Sequence, residues 1–259
     1  MSIIEQAARR LEELRRSGIE VTPRAQATAP GPLLAAPADM PAAARRLEDV
    51  RVPTLPTARQ RQRDAGGSQS KTVEIDLKRL HAMGYLTPEQ PRAQIADEFR
   101  VIKRPLLTNV NGKSAAPVEN ANLIMVTSSL PGEGKTFVAI NLAISMAMEL
   151  EKTVLLIDAD VSRPSVLSRL GLSSSPGLLD VLADSSIELS DALLRTNIDK
   201  LSILPAGAPR GRATELLASD SMSRLLDDMA TRYADRILVF DAPPLLPSTE
   251  SRVLATRMG

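Results

Sequence analysis

The chain has 259 residues, 43% of them apolar and 24% charged, which is ordinary for a globular protein and excludes disorder throughout. No stretch approaches 18 apolar residues and Met1-Ser-Ile-Ile-Glu lacks the basic-then-apolar pattern of an export signal, so neither a membrane span nor secretion is expected and the cytoplasm is the default. The absence of Cys and the single His, His81, remove disulfides, thiol nucleophiles, Cys-ligated zinc and a serine–histidine triad.

The net charge of +1 conceals an asymmetry: residues 1–70 carry +3, residues 71–120 carry +2, and residues 121–259 carry −4. A mildly basic front with few aromatics to stack bases is a weak footprint, and no specific nucleic-acid partner is expected.

Residues 2–17 place Ile3, Ile4, Ala7, Leu11 and Leu14 at helical spacing opposite Arg and Glu, so residues 1–20 read as an amphipathic helix. A helix of about four turns is marginal alone and needs a surface: its own domain, a second copy, a membrane or another protein. Residues 21–70 lose periodicity and fill with Ala, Pro, Arg and Gln, the composition of an extended, disordered linker.

Residues 71–120 read as a helical N-terminal extension of the domain that follows. They open on a short alternating run, and the spacing predicts a helix from Glu89 to Leu107 with Ile95, Phe99, Ile102 and Leu106 on its inner face, ended or kinked by Pro105. His81 beside Leu80 and Met83 is expected to be a surface or packed residue rather than a metal ligand.

From Asn120 onward, apolar runs at 123–126, 154–157, 201–204 and 237–240 alternate with helical stretches at 135–150, 164–170, 177–184 and 212–232. Continuous apolar strands separated by helices predict an α/β domain over 121–259, a mainly parallel β-sheet flanked by helices.

Directly after the first of these strands stands Ser128-Ser-Leu-Pro-Gly-Glu-Gly-Lys-Thr136, a phosphate loop with Ser129 in place of its first Gly. Glycines 132 and 134 let successive N–H groups turn inward, and the following helix adds its positive N-terminus. Ser129, Leu130, Pro131, Gly132, Glu133, Gly134, Lys135, Thr136 and Phe137 are the expected nucleotide-binding set, with Lys135 bridging the β- and γ-phosphates of ATP and the Thr136 hydroxyl on Mg²⁺. Two further strands end in acid, at Asp158-Ala-Asp160 and at Asp241. In a parallel sheet these termini open on one edge, so the three carboxylates should converge on the loop, where only an intervening cation makes them compatible with a triphosphate. Asp241 fits a Mg²⁺ carboxylate, and of Asp158 and Asp160 one can hold metal while the other handles a proton.

These segments resemble the bacterial tyrosine kinases that control capsule and exopolysaccharide synthesis. Residues 128–136 look like that family's Walker A motif, Leu155 to Pro164 its second Asp motif and Ile237 to Pro244 its Walker B. Met-Ser-Ile-Ile-Glu, the Pro-rich linker and Glu98 to Leu107 resemble the exosortase-associated subgroup. The resemblance implies a P-loop fold of the partition-ATPase-like, deviant-Walker type and Mg²⁺-dependent transfer from ATP to tyrosine. In it Asp158 activates the tyrosine hydroxyl, Asp160 supports it, and Thr136, Asp158 and Asp241 serve the metal. It also implies homo-oligomers and a membrane polysaccharide co-polymerase, or chain-length determinant, holding the protein at the inner membrane. Asp97-x-x-Arg100-x-x-Lys103 is the nearest fit to the family's ring-assembly element, or a plain solvated face.

Three departures stand beside the resemblance: Ser162 replaces the usual Arg, Tyr85 and Tyr233 are the only tyrosines, and the chain stops at Met258-Gly259, before the family's Tyr-rich tail. The sequence is therefore expected to be a fragment or a protein without its own tail substrate, and Tyr233 to be a packed aromatic. Positioning and partition ATPases, the rival enzyme class, carry an additional Lys where Leu130 stands. An ATP-gated scaffold with little kinase activity is the non-enzymatic alternative.

Overall fold

The computed structural model describes residues 70–232 and 236–259. The expected N-terminal helix, nearly all of the linker and Tyr233 lie outside the described residues.

Six strands form one sheet: β1 Lys71–Val73, β2 Leu123–Val126, β3 Thr153–Asp158, β4 Leu194–Thr196, β5 Leu201–Leu204 and β6 Arg236–Asp241. Their order is β1-β4-β5-β3-β6-β2. β5, β3, β6 and β2 run parallel, while β4 pairs antiparallel with β5 and carries β1 parallel on its outer side. The fold is thus α/β with a mainly parallel sheet, and both β1 and β4 are additions to the expected strands. β4 follows a short helix and is only three residues long, Leu-Arg-Thr, too brief for any hydrophobic period to show.

Side-chain alternation explains the continuous apolar runs. Ile124, Val154, Leu156, Ile237 and Val239 face one core, and Leu123, Leu155, Ile157, Leu238 and Phe240 face the other. The first core is covered by α2 (Gln94–Val110), α3 (Lys135–Ala147) and α4 (Val166–Leu170). The second is covered by α5 (Leu178–Ala183), α7 (Ala213–Leu217), α8 (Asp220–Arg232) and α9 (Thr249–Ala255). Two short helices, α1 (Leu77–Ala82) and α6 (Leu189–Ala192), complete the set among the described residues. The stretch expected as one helix over 212–232 breaks at Ala218–Ser219, where the Ser219 hydroxyl accepts from the Met222 amide and starts α8.

The segment 71–120 is built into this domain, with Ile75, Leu80, Tyr85, Leu86, Phe99 and Leu107 in the first core. Its long helix departs from expectation in three ways. It begins at Gln94, because the turns around Pro88 and Pro91 occupy the preceding residues. It continues through Pro105, which lies on the exposed side, so the carbonyl that loses its amide partner is near solvent. Its buried face is Ala96, Phe99, Lys103 and Leu107, whereas Ile102 is exposed and Ile95 and Leu106 are half-buried.

Lys103 is the reason for that rotation. Its ammonium is buried on α3, donating to the Ser145 carbonyl at 2.5 Å and pairing with Glu149 at 2.7 Å, while Asp97 and Arg100 pair with each other at the surface. Of the three positions of the expected assembly element, only two offer charge to a partner. Lys103→Met should alter stability by less than about 1.5 kcal/mol, whereas Lys103→Glu, a buried anion facing Glu149, should cost about 3–5 kcal/mol in thermal melts.

Candidate active site

The sheet register sets the site. Val126 pairs with Asp241 and Asp241 with Asp158, so the end of β2, from which the phosphate loop departs, is level with both acidic strand ends. Gly132 and Gly134 have φ of 87° and 92°, a left-handed backbone that lets the loop curl into the N-terminus of α3. Pro131, Gly132, Gly134, Lys135, Thr136 and Phe137 line a cavity of about 950 Å³. Glu133 turns back instead, and its carboxylate accepts from the Ser129 and Leu130 amides at 2.8 and 3.0 Å. Those two amides are therefore engaged within the loop, and the anion cradle faces outward from residues 132–136. Leu130 is 52% exposed.

Lys135 is held at the acidic edge, 2.5 Å from Asp160 and 4.0 Å from Asp241. The Thr136 hydroxyl lies 3.1 Å from that of Ser165. Asp158 is buried, and one of its oxygens accepts from the Ser165 and Val166 amides, both at 3.0 Å, which anchors the start of α4. Its other oxygen and both oxygens of Asp241 are buried without a hydrogen-bond partner.

Three orphaned carboxylate oxygens are the donor set a hard divalent cation takes, and with the Thr136 hydroxyl they fit Mg²⁺. Among the described residues no group of three or more His, Cys, Asp or Glu is arranged to hold a metal by itself.

Burial pushes the Asp158 carboxyl up to about 7, with the neighbouring Asp241 and Asp160 adding to the rise and the two backbone amides opposing it. Burial likewise raises Asp241 to about 6, partly offset by the nearby Thr136 hydroxyl and then by Lys135. Both folded values exceed those of an unfolded Asp, so protonation favours the folded state, and stability is lost as pH rises through about 6 and 7. The ligand-free protein should be more stable at pH 5.5 than at pH 8 by about 2–3 kcal/mol, seen as a higher melting temperature, with added Mg²⁺ and ATP narrowing the gap.

The structure brings Lys135, Thr136, Asp158, Asp160 and Asp241 together, as the strand order requires. It also adds residues that no motif announced. Met83, Tyr85 and Arg169 line the same cavity, as do Ser165, Pro247 and Glu250. Tyr85 is buried, with its ring centroid 4.9 Å from that of Phe137 at 46°. Burial raises the Tyr85 hydroxyl, and Arg169 beside it pulls the other way. His81 is exposed and outside the site.

Comparison with known proteins gives this geometry a family. Residues 121–257, more than half of the chain, match the model of a family described as AAA domain. Tyrosine-protein kinase YwqD of Bacillus subtilis is 32% identical over 165 residues, which are 64% of this chain and 65% of that protein. ExoP of Rhizobium meliloti, a succinoglycan biosynthesis transport protein, is 28% identical over 70% of this chain and 22% of its own length. The chain thus spans less than two thirds of either relative. Among solved structures, the kinase domain of the Escherichia coli tyrosine kinase ETK superposes with a TM-score of 0.56 at 25% identity, covering 74% of this chain and 76% of that domain. The family model over residues 121–257 makes the chain a member of the AAA domain family, similar in sequence and in fold to bacterial tyrosine kinases.

Proposed function

We propose that this protein is an ATP-dependent protein-tyrosine autokinase acting in exopolysaccharide or capsule biosynthesis. The observation that carries the reading is the Lys135–Asp160 pair set against the buried, raised carboxyl of Asp158 at the mouth of a phosphate loop. Lys135 leaves Asp160 for the β- and γ-phosphates when ATP enters, and the amides of 132–136 cradle the same oxygens. Mg²⁺, held by Thr136, Asp241 and Asp158, would neutralise charge on the phosphates. The tyrosine oxygen attacks the γ-phosphorus, the bond to the β-phosphate oxygen breaks, ADP leaves, and the hydroxyl proton passes to Asp158. Burial raises this carboxyl and so favours its taking up the proton.

The kinase names of YwqD and ETK support the activity, and the succinoglycan role of ExoP supports the polysaccharide setting. From the resemblance to the capsule and exopolysaccharide tyrosine kinases we further propose a membrane polysaccharide co-polymerase as partner, homo-oligomers, and a place at the inner face of the membrane. No helix among the described residues is long and apolar enough to cross a membrane. The exosortase-associated subgroup rests on Met-Ser-Ile-Ile-Glu, the Pro-rich linker and Glu98 to Leu107. The test is tyrosine phosphate formed from labelled ATP, on the chain or on an added tyrosine substrate, by wild type and by Lys135→Met. Label on wild type alone supports the reading, and no label on either while ATP still binds rejects it.

A further inference from the structure

Moving along the sheet edge from the phosphate loop on β2, Asp241 on β6 comes next, then Asp158 and Asp160 after β3, and then α4 with Arg169. The attacking group in phosphoryl transfer enters roughly in line, opposite the departing ADP. The side of the cavity beyond the acidic groups is therefore where an acceptor must stand. Beside the phosphate loop and the acidic groups, the cavity is lined by Met83, Tyr85, Phe137, Arg163 and Arg169. At about 950 Å³ the cavity is at the upper end of the range of about 300–1,000 Å³ for small-molecule sites, which leaves room beside a nucleotide.

The wall is fixed by the core. Asn141 on α3 is fully buried, accepts from the Leu86 amide at 2.7 Å and donates to the Phe137 carbonyl at 2.8 Å. This pins the strip before α2 against α3 and sets the Tyr85 ring on Phe137. Two tilted aromatics and the thioether of Met83, which is 39% exposed, make a surface suited to another aromatic ring. Of the acidic groups lining the cavity, Glu250 is engaged by the Thr214 hydroxyl at 2.6 Å, and Asp160 faces Lys135 until ATP enters. Arg163 and Arg169 are exposed, and among the described residues neither joins a salt bridge, Arg169 meeting only the Tyr85 hydroxyl, a neutral partner that leaves its charge for a ligand.

We propose that this end of the cavity is the acceptor subsite, with Met83, Tyr85 and Phe137 holding the incoming tyrosyl ring, and that Arg169, helped by Arg163, selects tyrosines flanked by acidic side chains. The proposal rests on the kinase reading above. Guanidinium–carboxylate contacts at a partly enclosed rim are charge-assisted and give specificity through peptide affinity.

The test uses the full chain with Mg²⁺, ATP and three synthetic peptides whose tyrosine is flanked by Glu, Ala or Lys. Wild type should favour the Glu peptide over the Lys peptide by about tenfold or more in kcat/KM. Arg169→Ala should raise KM for the Glu peptide about tenfold with the affinity for ATP unmoved, and Arg169→Glu should shift the preference to the Lys peptide. Peptide ranking that ignores both substitutions overturns the proposal, as does loss of ATP affinity with peptide KM unchanged. Label found only on Tyr85, with every added peptide blank, also overturns it, since the wall itself would then be the acceptor, while the kinase reading stands. Absence of tyrosine phosphate on the chain and on all three peptides rejects both together.

Discussion

Asp158→Asn is expected to bind ATP with nearly wild-type affinity and to form tyrosine phosphate about 10²–10⁴-fold more slowly. Asn keeps the oxygen that accepts from the Ser165 and Val166 amides, so α4 stays anchored. What it removes is the basicity of the second oxygen, which is buried with no partner. The same substitution should raise the melting temperature of the ligand-free protein at pH 8, because an ionised Asp158 pushed up to about 7 is a cost to the folded state there. Higher stability joined to lost transfer would mark a residue kept for chemistry at the expense of the fold. Loss of ATP binding as well would show that Asp158 acts only through metal or structure.

Lys135→Met should abolish transfer for a different reason. Removing the cation that meets the phosphates takes away transition-state charge stabilisation worth at least about 10²–10³-fold, and ATP affinity falls with it. In the ligand-free protein the substitution leaves Asp160 buried without its partner at 2.5 Å and takes the nearest positive charge from Asp241. We expect a loss of about 3 kcal/mol at pH 8, shrinking at pH 5.5 as the carboxyls take up protons. Calorimetry with ATP and melts at the two pH values check both halves. The two variants should move ligand-free stability in opposite directions, which separates them from a general disturbance of the site.

The phosphate loop, the two acidic strand ends and the parallel strands were legible in the chain because each is carried by neighbours in sequence. The spacing of Gly132, Gly134, Lys135 and Thr136 is local, and an apolar run closing on Asp marks a strand that ends at the ligand edge. The 71–120 segment was legible only in part. Of its expected inner face, Ile95, Phe99 and Leu106 do pack against the core, whereas Ile102 is exposed and Lys103 takes the inner place. A lysine reads as a surface residue until a carbonyl such as that of Ser145 on another helix, and an anion such as Glu149 just beyond that helix, meet it.

By itself the sequence determined the α/β class, the loop that takes phosphate and the acids that belong with it, since period, turn chemistry and charge act over a few residues. Tertiary structure decided which carboxylate oxygens are left without partners, and that Tyr85 and Arg169 share the cavity with Lys135. Those outcomes depend on desolvation and on contacts between groups up to about 85 positions apart, such as Tyr85 and Arg169. No local pattern carries that information, because burial and distance exist only once the sheet has brought its strand ends to one edge.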